Sequence, residues 1–168
     1  MKLSEIKPDS EIFVDSNIFI YHFTGVSDEC SDFLSRCERE ELIGMTSVNV
    51  ILEVLHRLMM VEAVSKNIVK PPNIVKKLSK SPQKIKRLNE YFVNTEKIQD
   101  MGIGIKPLRF ETIVKSHVIR LSSGLMVNDS VIIASMKKEG VKLLATNDKA
   151  LKKLDEIEVY SPEDIKPS

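Results

Sequence analysis

Aromatic residues are scarce in this chain, which has no tryptophan, three tyrosines and six phenylalanines among its 168 residues. Proteins that hold nucleobases by stacking carry aromatic side chains on the binding surface. The only aromatic residues beside the most basic part of the sequence are Tyr91 and Phe92. The composition therefore argues against a surface built for base stacking.

Long apolar runs are also absent from the sequence. None approaches the roughly 20 residues that a helix needs to span a bilayer. The start of the chain, MKLSEIKPDSEIF, is polar and of mixed charge, without the basic and then apolar order of a secretory signal. We therefore expect no membrane segment and a cytoplasmic location.

Cysteine is limited to two residues, Cys30 and Cys37, which lie seven apart in a predicted helix and would share one face. A zinc site needs more soft ligands at closer spacing, and the three histidines are scattered along the chain. The expected state of both thiols is buried or half-buried, and a redox function is not supported.

The order of apolar segments predicts a single α/β domain spanning residues 1–168. Short apolar runs predict strands, and amphipathic stretches between them predict helices near 27–39, from 48 onward, over 111–121, and from Asn128 or Asp129 to Gly140. The predicted strands are 11–15, 42–46, 103–108, 141–145 and 157–160. Strands that alternate with helices favour a mainly parallel central sheet covered on both faces.

Charge is unevenly distributed although the net charge is only +1. Residues 63–89 contain eight lysines and arginines and no acidic residue, and three prolines divide the segment into short helices or loops. We expect a basic insertion or helical lobe at about 63–90. It is either a solvated helix face or a surface for a polyanion. The residues predicted for nucleic-acid contact are Lys76, Lys77, Lys84 and Lys86.

Four acidic residues follow or interrupt apolar runs, namely Asp15, Glu53, Asp129 and Asp148. An α/β sheet gathers such positions, because ligands bind outside the carboxyl ends of parallel strands. Two like charges about 5 Å apart repel by roughly 3 kcal/mol at an effective dielectric near 20. Convergence of the four therefore calls for a cation, shared protons or a catalytic use. Carboxylates without a histidine or cysteine constellation favour Mg²⁺ or Mn²⁺.

Each acidic residue also has a structural explanation when taken alone. Asp129 would serve as an N-cap, Asp148 as a turn residue, and Glu53 as a partner of Arg57 four residues on. Asp15 is the hardest to explain in this way, because a carboxylate directly after a buried strand is costly unless it is paired or used. Two further polar residues, Asn17 and Thr146, stand where they would add neutral oxygens or orient the carboxylates.

The acidic residues lie in an ordered set of motifs that resembles the PIN-domain ribonucleases, and among them the VapC-like toxins. The motifs are D-S-N at 15–17, T-S at 46–47 followed by Glu53, G-L-M-V-N-D-S-V-I-I-A-S at 124–135 and A-T-N-D at 145–148. The resemblance covers residues 11–61 and 103–162, and the interval 54–128 looks longer than in compact members of the family. It implies that the metal-binding acids are Asp15, Glu53, Asp129 and Asp148, with Asn17 and Thr146 in support.

The resemblance implies a ribonuclease that depends on Mg²⁺ or Mn²⁺ and hydrolyses RNA phosphodiester bonds. The toxin of a toxin-antitoxin pair is one such protein, with RNA as its substrate and a cognate antitoxin as its partner. The resemblance also leaves open assembly into a homodimer. The alternatives are an RNA-processing nuclease that is not a toxin, and a PIN-like module that binds RNA or protein without significant catalysis. An aspartyl phosphotransferase fits less well, because a second aspartate is wanted two residues after Asp15 and Asn17 stands there.

Overall fold

Five parallel strands form one sheet in the computed structural model, which describes residues 1–165. Residues 166–168, which the expected domain of 1–168 includes, lie outside the described part. The strands are β1 Glu11–Val14, β2 Ile43–Ser47, β3 Gly104–Lys106, β4 Leu143–Ala145 and β5 Glu158–Tyr160. Every pairing among them is parallel, so the prediction of an α/β fold on a mainly parallel sheet is confirmed.

Helices cover the sheet and fill the connections between strands. In residues 1–165 they are α1 Ser16–Phe23, α2 Asp28–Glu38, α3 Val48–Ser65, α4 Ile74–Ser79, α5 Pro82–Ile85, α6 Glu90–Glu96, α7 Phe110–Ser123 and α8 Val127–Glu139. None of these helices is by itself long and apolar enough to cross a membrane, and only α7 and α8 taken together across their 112° bend pass that test.

The order of the strands around the centre of the sheet indicates where a ligand would bind. Strand β1 is apolar throughout its buried part, with Ile12, Phe13 and Val14 inaccessible to solvent, as expected for a strand covered on both faces. The spatial order is β3-β2-β1-β4-β5, so the chain moves to one side of β1 and then returns to the other. This reversal opens a crevice at the carboxyl ends of β1 and β4, where open α/β sheets bind ligands.

The start of α8 differs from its prediction. The helix begins at Val127, with Met126 as the N-cap, and not at Asn128 or Asp129. The amide of Ser130 donates to the carbonyl of Met126 at 3.0 Å, which places Asp129 inside the first turn. Asp129 is therefore not the N-cap of α8, and the N-cap role that would explain this side chain without a ligand is excluded. The other end is as predicted, because Gly140 ends α8 with a φ of 76°.

Both cysteine side chains are buried and free, as expected. Burial raises the pKa of Cys30 and of Cys37 to about 12, so both thiols are neutral at physiological pH. They serve as small apolar groups on the inner face of α2.

The basic segment has a small apolar cluster of its own, separate from the core around the sheet. Its buried members are Ala63, Ile68, Val69, Leu78 and Leu88. Helices α4 and α5 lie in this segment, with Pro82 at the beginning of α5. The cluster therefore gives residues 63–90 enough buried apolar surface to pack against the end of α3. Its status as an insertion relative to compact family members stays a prediction.

A buried carboxylate, Glu62, joins α3 to the segment that follows the basic lobe. Its oxygens accept hydrogen bonds from the amides of Asn89 and Tyr91 at 3.0 and 2.9 Å and from Nζ of Lys66 at 2.8 Å. Burial alone would raise the pKa of Glu62, but these donors more than offset it and hold the pKa at about 2. Asn89 provides no side-chain cap for α6, so Glu62 caps that helix from α3.

Candidate active site

Asp15 occupies the crevice between β1 and β4. It is 6% exposed, and its amide donates to the carbonyl of Ala145 at 3.0 Å, which continues the pairing of the two strands. Its Oδ1 accepts from the amide of Ser16 at 2.6 Å. Its Oδ2 accepts from Nδ2 of Asn17 and from Oγ1 of Thr146, both at 2.6 Å. Three donors therefore fix the carboxylate at the end of the central strand.

Asn17 and Thr146 connect Asp15 to the turn after β4. Nδ2 of Asn17 also donates to Oγ1 of Thr146 at 3.0 Å, and Oδ1 of Asn17 accepts from the amide of Asn147 at 3.0 Å. Oγ1 of Thr146 accepts a further hydrogen bond from the amide of Asp148 at 3.0 Å. The structure thus brings both residues predicted as supporting positions into direct contact with Asp15.

The remaining three acidic residues come from three different elements around the same crevice. Glu53 lies in the second turn of α3, Asp129 in the first turn of α8 and Asp148 in the turn after β4, and all three are half-buried. Oδ1 of Asp148 accepts from the amide of Ala150 at 2.7 Å, so this side chain does stabilise its turn. Within residues 1–165, Glu53 forms no ion pair with Arg57, which removes its structural explanation.

The four carboxylates act on one another electrostatically. Burial and then the charges of Asp148, Asp15 and Glu53 raise the pKa of Asp129 to about 6. Burial also raises the pKa of Asp15, although hydrogen bonds from Thr146 and Ser16 oppose the shift, and the charge of Glu53 adds to it. All four predicted acidic positions therefore share one electrostatic environment at the crevice.

The donor set at the crevice fits a hydrated hard cation. No group of three histidine, cysteine, aspartate or glutamate side chains in the described residues is close enough to hold an ion as a closed cage. Mg²⁺ does not require such a cage, because it usually keeps several waters and binds through one or two carboxylates. The carboxylate oxygens of Asp15 and Asp129, with the neutral oxygens nearby, are ligands of that kind.

Comparison with known families decides the class of the protein. The model of the PIN domain matches residues 12–157, which is most of the chain. The chain belongs to the PIN-domain family. PIN domains are generally nucleases, so a hydrolase is the class of activity that membership supports.

Solved structures share the PIN fold with this chain at low sequence identity. A toxin-antitoxin complex from Klebsiella pneumoniae matches with a TM-score of 0.54 and 18% identity, covering 88% of this chain and 95% of that one. The structure of VapBC2 from Rickettsia felis, bound to a DNA fragment from its promoter, matches with a TM-score of 0.57 and 13% identity. The match covers 91% of this chain and 99% of that one. At these identities the likeness shows the fold alone. No curated protein is similar enough in sequence to count as a match.

Two open cavities flank the acidic crevice of this PIN domain. One, of about 660 Å³, is lined by Asp129 together with the α7–α8 link and with Lys153, Asp155 and Glu156. The other, of about 830 Å³, extends from Asn17 along α1 and α3 to α4. The first cavity therefore includes one of the four acidic residues, and the second includes Asn17, which hydrogen-bonds another of them, Asp15.

The four lysines predicted for nucleic-acid contact differ in their surroundings. Lys76 lines the larger cavity, whereas Nζ of Lys77 donates to the carbonyl of Lys70 at 2.7 Å. Lys84 is half-buried on α5, and Lys86 is exposed just after it. Their contact with nucleic acid stays a prediction.

Two residues that contribute to this region were not predicted. Asn147 holds Asn17 through its backbone amide, and its Nδ2 lies 3.4 Å from the hydroxyl of Tyr21 on α1. A polar residue between Thr146 and Asp148 is a usable signal, because a turn at the end of a parallel strand faces the ligand crevice. Nothing in the sequence around Tyr21 distinguishes it from its apolar neighbours in α1.

Proposed function

We propose that this PIN domain is a divalent-metal-dependent ribonuclease that hydrolyses RNA phosphodiester bonds. The observation that carries the proposal is the electrostatic coupling of Asp15, Glu53, Asp129 and Asp148, which come from separate elements at the crevice of the sheet. The raised pKa of Asp15 and of Asp129 means that their charged forms cost stability, and clusters of this kind are found where function requires them. Family membership makes phosphodiester hydrolysis the function that best accounts for that cost.

In this proposal Asp15 and Asp129 would hold Mg²⁺ or Mn²⁺ directly, and Glu53 and Asp148 would complete the site directly or through water. A bound divalent ion supplies positive charge to the phosphate and lowers the pKa of an attacking water. The hydrogen bonds from Asn17 and Thr146 keep the Asp15 carboxylate in one orientation before the metal arrives.

The chain also has to handle the proton of the reaction. As the water oxygen forms its bond to phosphorus, one of the four carboxylates accepts the proton that water loses. The bond from phosphorus to the leaving oxygen breaks, and that oxygen takes up a proton from solvent. Because the four side chains surround one crevice, the same cluster would provide both the carboxylate that accepts the proton and the carboxylates that bind the metal.

The test is cleavage of end-labelled structured and single-stranded RNA by purified protein with Mg²⁺, with Mn²⁺ and with a chelator. We expect cleavage only with a divalent ion, and a loss of at least about 100-fold in rate for Asp129→Asn. Asp32→Asn is the matched control, because Asp32 is an exposed aspartate on α2. Cleavage by Asp129→Asn at the wild-type rate would show that the assignment is wrong.

A binding module without turnover is the second candidate. It is favoured by one observation, namely that residues 1–165 contain no three acidic, histidine or cysteine side chains arranged around a single point. Such a module would bind RNA tightly and with strong salt dependence, yet leave it intact with every divalent metal. A binding titration run beside the cleavage assay separates the two candidates.

We further propose a toxin role in the cytoplasm, with a cognate antitoxin as partner. The support is that the two solved structures of similar fold are described as a toxin-antitoxin complex and as VapBC2. Expression of the chain alone should arrest growth, and coexpression of a small DNA-binding protein encoded beside it should restore growth. Harmless expression of a protein that cleaves RNA in vitro would favour an RNA-processing nuclease instead.

A further inference from the structure

The larger cavity beside the acidic crevice is a groove bounded by three helices. It has a volume of about 830 Å³ and is lined by Asn17, Ile20 and Tyr21 of α1, by His56, Arg57, Met60 and Val61 of α3, and by Asn73 to Lys76 and Ser79 at α4. We refer to it as the α1–α4 groove. Asn17 hydrogen-bonds Asp15 and also lines the groove, so the groove begins at the carboxylates.

The charged side chains of the α1–α4 groove are basic. Arg57 and Lys76 are exposed and His56 stands beside them, while no aspartate or glutamate contributes to the lining. Neither Arg57 nor Lys76 forms an ion pair with any residue of the described range 1–165. Uncompensated cations next to a cluster of carboxylates are available for an anionic ligand.

We infer that the α1–α4 groove holds the backbone of a single-stranded RNA segment that flanks the scissile phosphate, with Arg57 and Lys76 contacting its phosphates. This inference rests on the proposed ribonuclease function, because it assigns a path to the same substrate. Phosphate neutralisation by lysine and arginine supplies most of the affinity of such contacts. The lining of the other cavity contains Asp155, Glu156 and one lysine, Lys153, so it is less basic than the α1–α4 groove and less favourable for a polyanion.

The apolar part of the groove fits a single strand better than a duplex. Ile20, Met60, Val61, Ile74 and Val75 provide apolar surface between the helices, and Tyr21 and His56 add two aromatic rings to the lining. Unpaired bases and sugars present apolar faces that such a surface can cover, whereas a duplex keeps its bases inside. Little sequence preference is expected, because contacts of this kind involve few hydrogen bonds to base edges.

The experiment measures RNA binding by a groove variant, Arg57→Ala with Lys76→Ala. The matched control is Lys70→Ala with Lys80→Ala, which removes two exposed lysines of the same segment that do not line the groove. Both pairs are placed in an Asp129→Asn background so that the labelled RNA stays intact. Anisotropy titrations of a 12-nucleotide RNA at several salt concentrations then give Kd and its salt dependence.

We expect the groove variant to weaken binding by at least about 10-fold at low salt and to reduce the logarithmic salt slope by about 1.4, since each single-strand phosphate contact contributes roughly 0.7. The control should weaken binding by less than about threefold. An unchanged Kd and salt slope in the groove variant, or an equal loss in the control, would overturn the inference. If RNA binding is unchanged while binding of a partner protein is lost, the groove is a protein-docking surface instead.

A second measurement separates this inference from the proposed function. With the catalytic residues intact, substrates extended on only one side of the cleavage site should have a lower KM than short ones. The groove variant should raise KM more for the extended substrates than for the short one, whereas Lys70→Ala with Lys80→Ala should keep the wild-type difference in KM. Absence of cleavage by the wild type with Mg²⁺ or Mn²⁺ contradicts the ribonuclease. The binding titration still decides whether the groove holds RNA.

Discussion

Two carboxylates of this chain, Glu62 and Asp129, occupy environments that shift their pKa values in opposite directions. Glu62 is buried with two backbone amides and Lys66 as donors, and its pKa is held at about 2. Asp129 is half-buried with three other carboxylates around it, and its pKa is raised to about 6. The first environment stabilises the charged form, and the second one destabilises it.

Glu62 is a carboxylate that holds the fold together, whereas Asp129 is one for which we propose a role in the chemistry. A charge with donors on every side needs no ligand, because its surroundings already compensate it. A charge surrounded by like charges costs stability unless a proton or a bound cation compensates it, and we propose a cation here. Substitutions at the two positions should therefore have opposite effects on the stability of the metal-free protein.

The largest expected effect is that of Glu62→Ala. It removes one of the two carboxylates that pair with Lys66, whose side chain is 36% exposed. It also leaves the amides of Asn89 and Tyr91 without their acceptor, and each buried polar group left without a partner costs about 1–3 kcal/mol. We expect a loss of that size in the free energy of unfolding, measured by urea denaturation followed by circular dichroism.

Glu90→Ala is the matched control for this prediction. Glu90 also pairs with Lys66, at 2.9 Å, but its side chain is 65% exposed. Exposed ion pairs contribute at most about 1 kcal/mol, so this variant should remain close to the wild type. Equal losses in the two variants would mean that Glu62 acts only as one more surface charge.

The second prediction uses pH to isolate the charge of Glu62. Its pKa is about 2 in the folded protein and 4.5 as the ordinary value, so its stabilising contribution is fully present above about pH 4.5 and is lost as the pH falls toward 2. The difference in unfolding free energy between the wild type and Glu62→Gln should shrink over that range by up to about 3 kcal/mol. A difference that stays constant with pH would show that packing, and not charge, accounts for the effect.

The fold and the acidic crevice were predictable from sequence because both depend on local patterns. A strand covered on both faces contains a continuous apolar run, such as the buried IFV of β1, and the first polar residue after it must lie at the edge of the sheet. Asp15 and Thr146 follow β1 and β4 in this way, so their convergence follows from the parallel order of the strands.

The role of Glu62 and the start of α8 were not predictable for the opposite reason. Glu62 continues the buried positions of α3 after Val54 and Leu58, but its two backbone donors lie 27 and 29 residues further along the chain. Only the tertiary structure brings the amide of Asn89 to that point. In α8 the N-cap Met126 has no capping side chain, so the sequence favoured the polar residues after it.

Addition of metal tests the other half of the comparison. If a divalent ion compensates the charges around Asp129, Mg²⁺ or Mn²⁺ at 100 times its Kd should stabilise the wild type by about 2.7 kcal/mol. Thermal unfolding with and without the ion measures the shift in Tm. The shift should be much smaller in Asp15→Asn and Asp129→Asn, and it should be retained in Asp32→Asn. A shift of equal size in all four proteins would mean that the ion binds elsewhere.

The smallest effect, and the one opposite in sign to that of Glu62, is expected for Asp129→Asn without metal. The pKa of Asp129 is about 6 in the folded protein and ordinarily 3.8, so its contribution to stability is present below about pH 3.8 and is lost as the pH rises through 6. Above pH 6 the substitution should therefore stabilise the protein, by about 1 kcal/mol once solvent screening is considered. Below pH 4 the gain should vanish, because the wild-type side chain is then protonated. Urea denaturation midpoints of both proteins, measured at pH 4 and at pH 7.5 in the presence of a chelator, test this prediction. A stability gain of the same size at both pH values would contradict repulsion of Asp129 by the other three carboxylates.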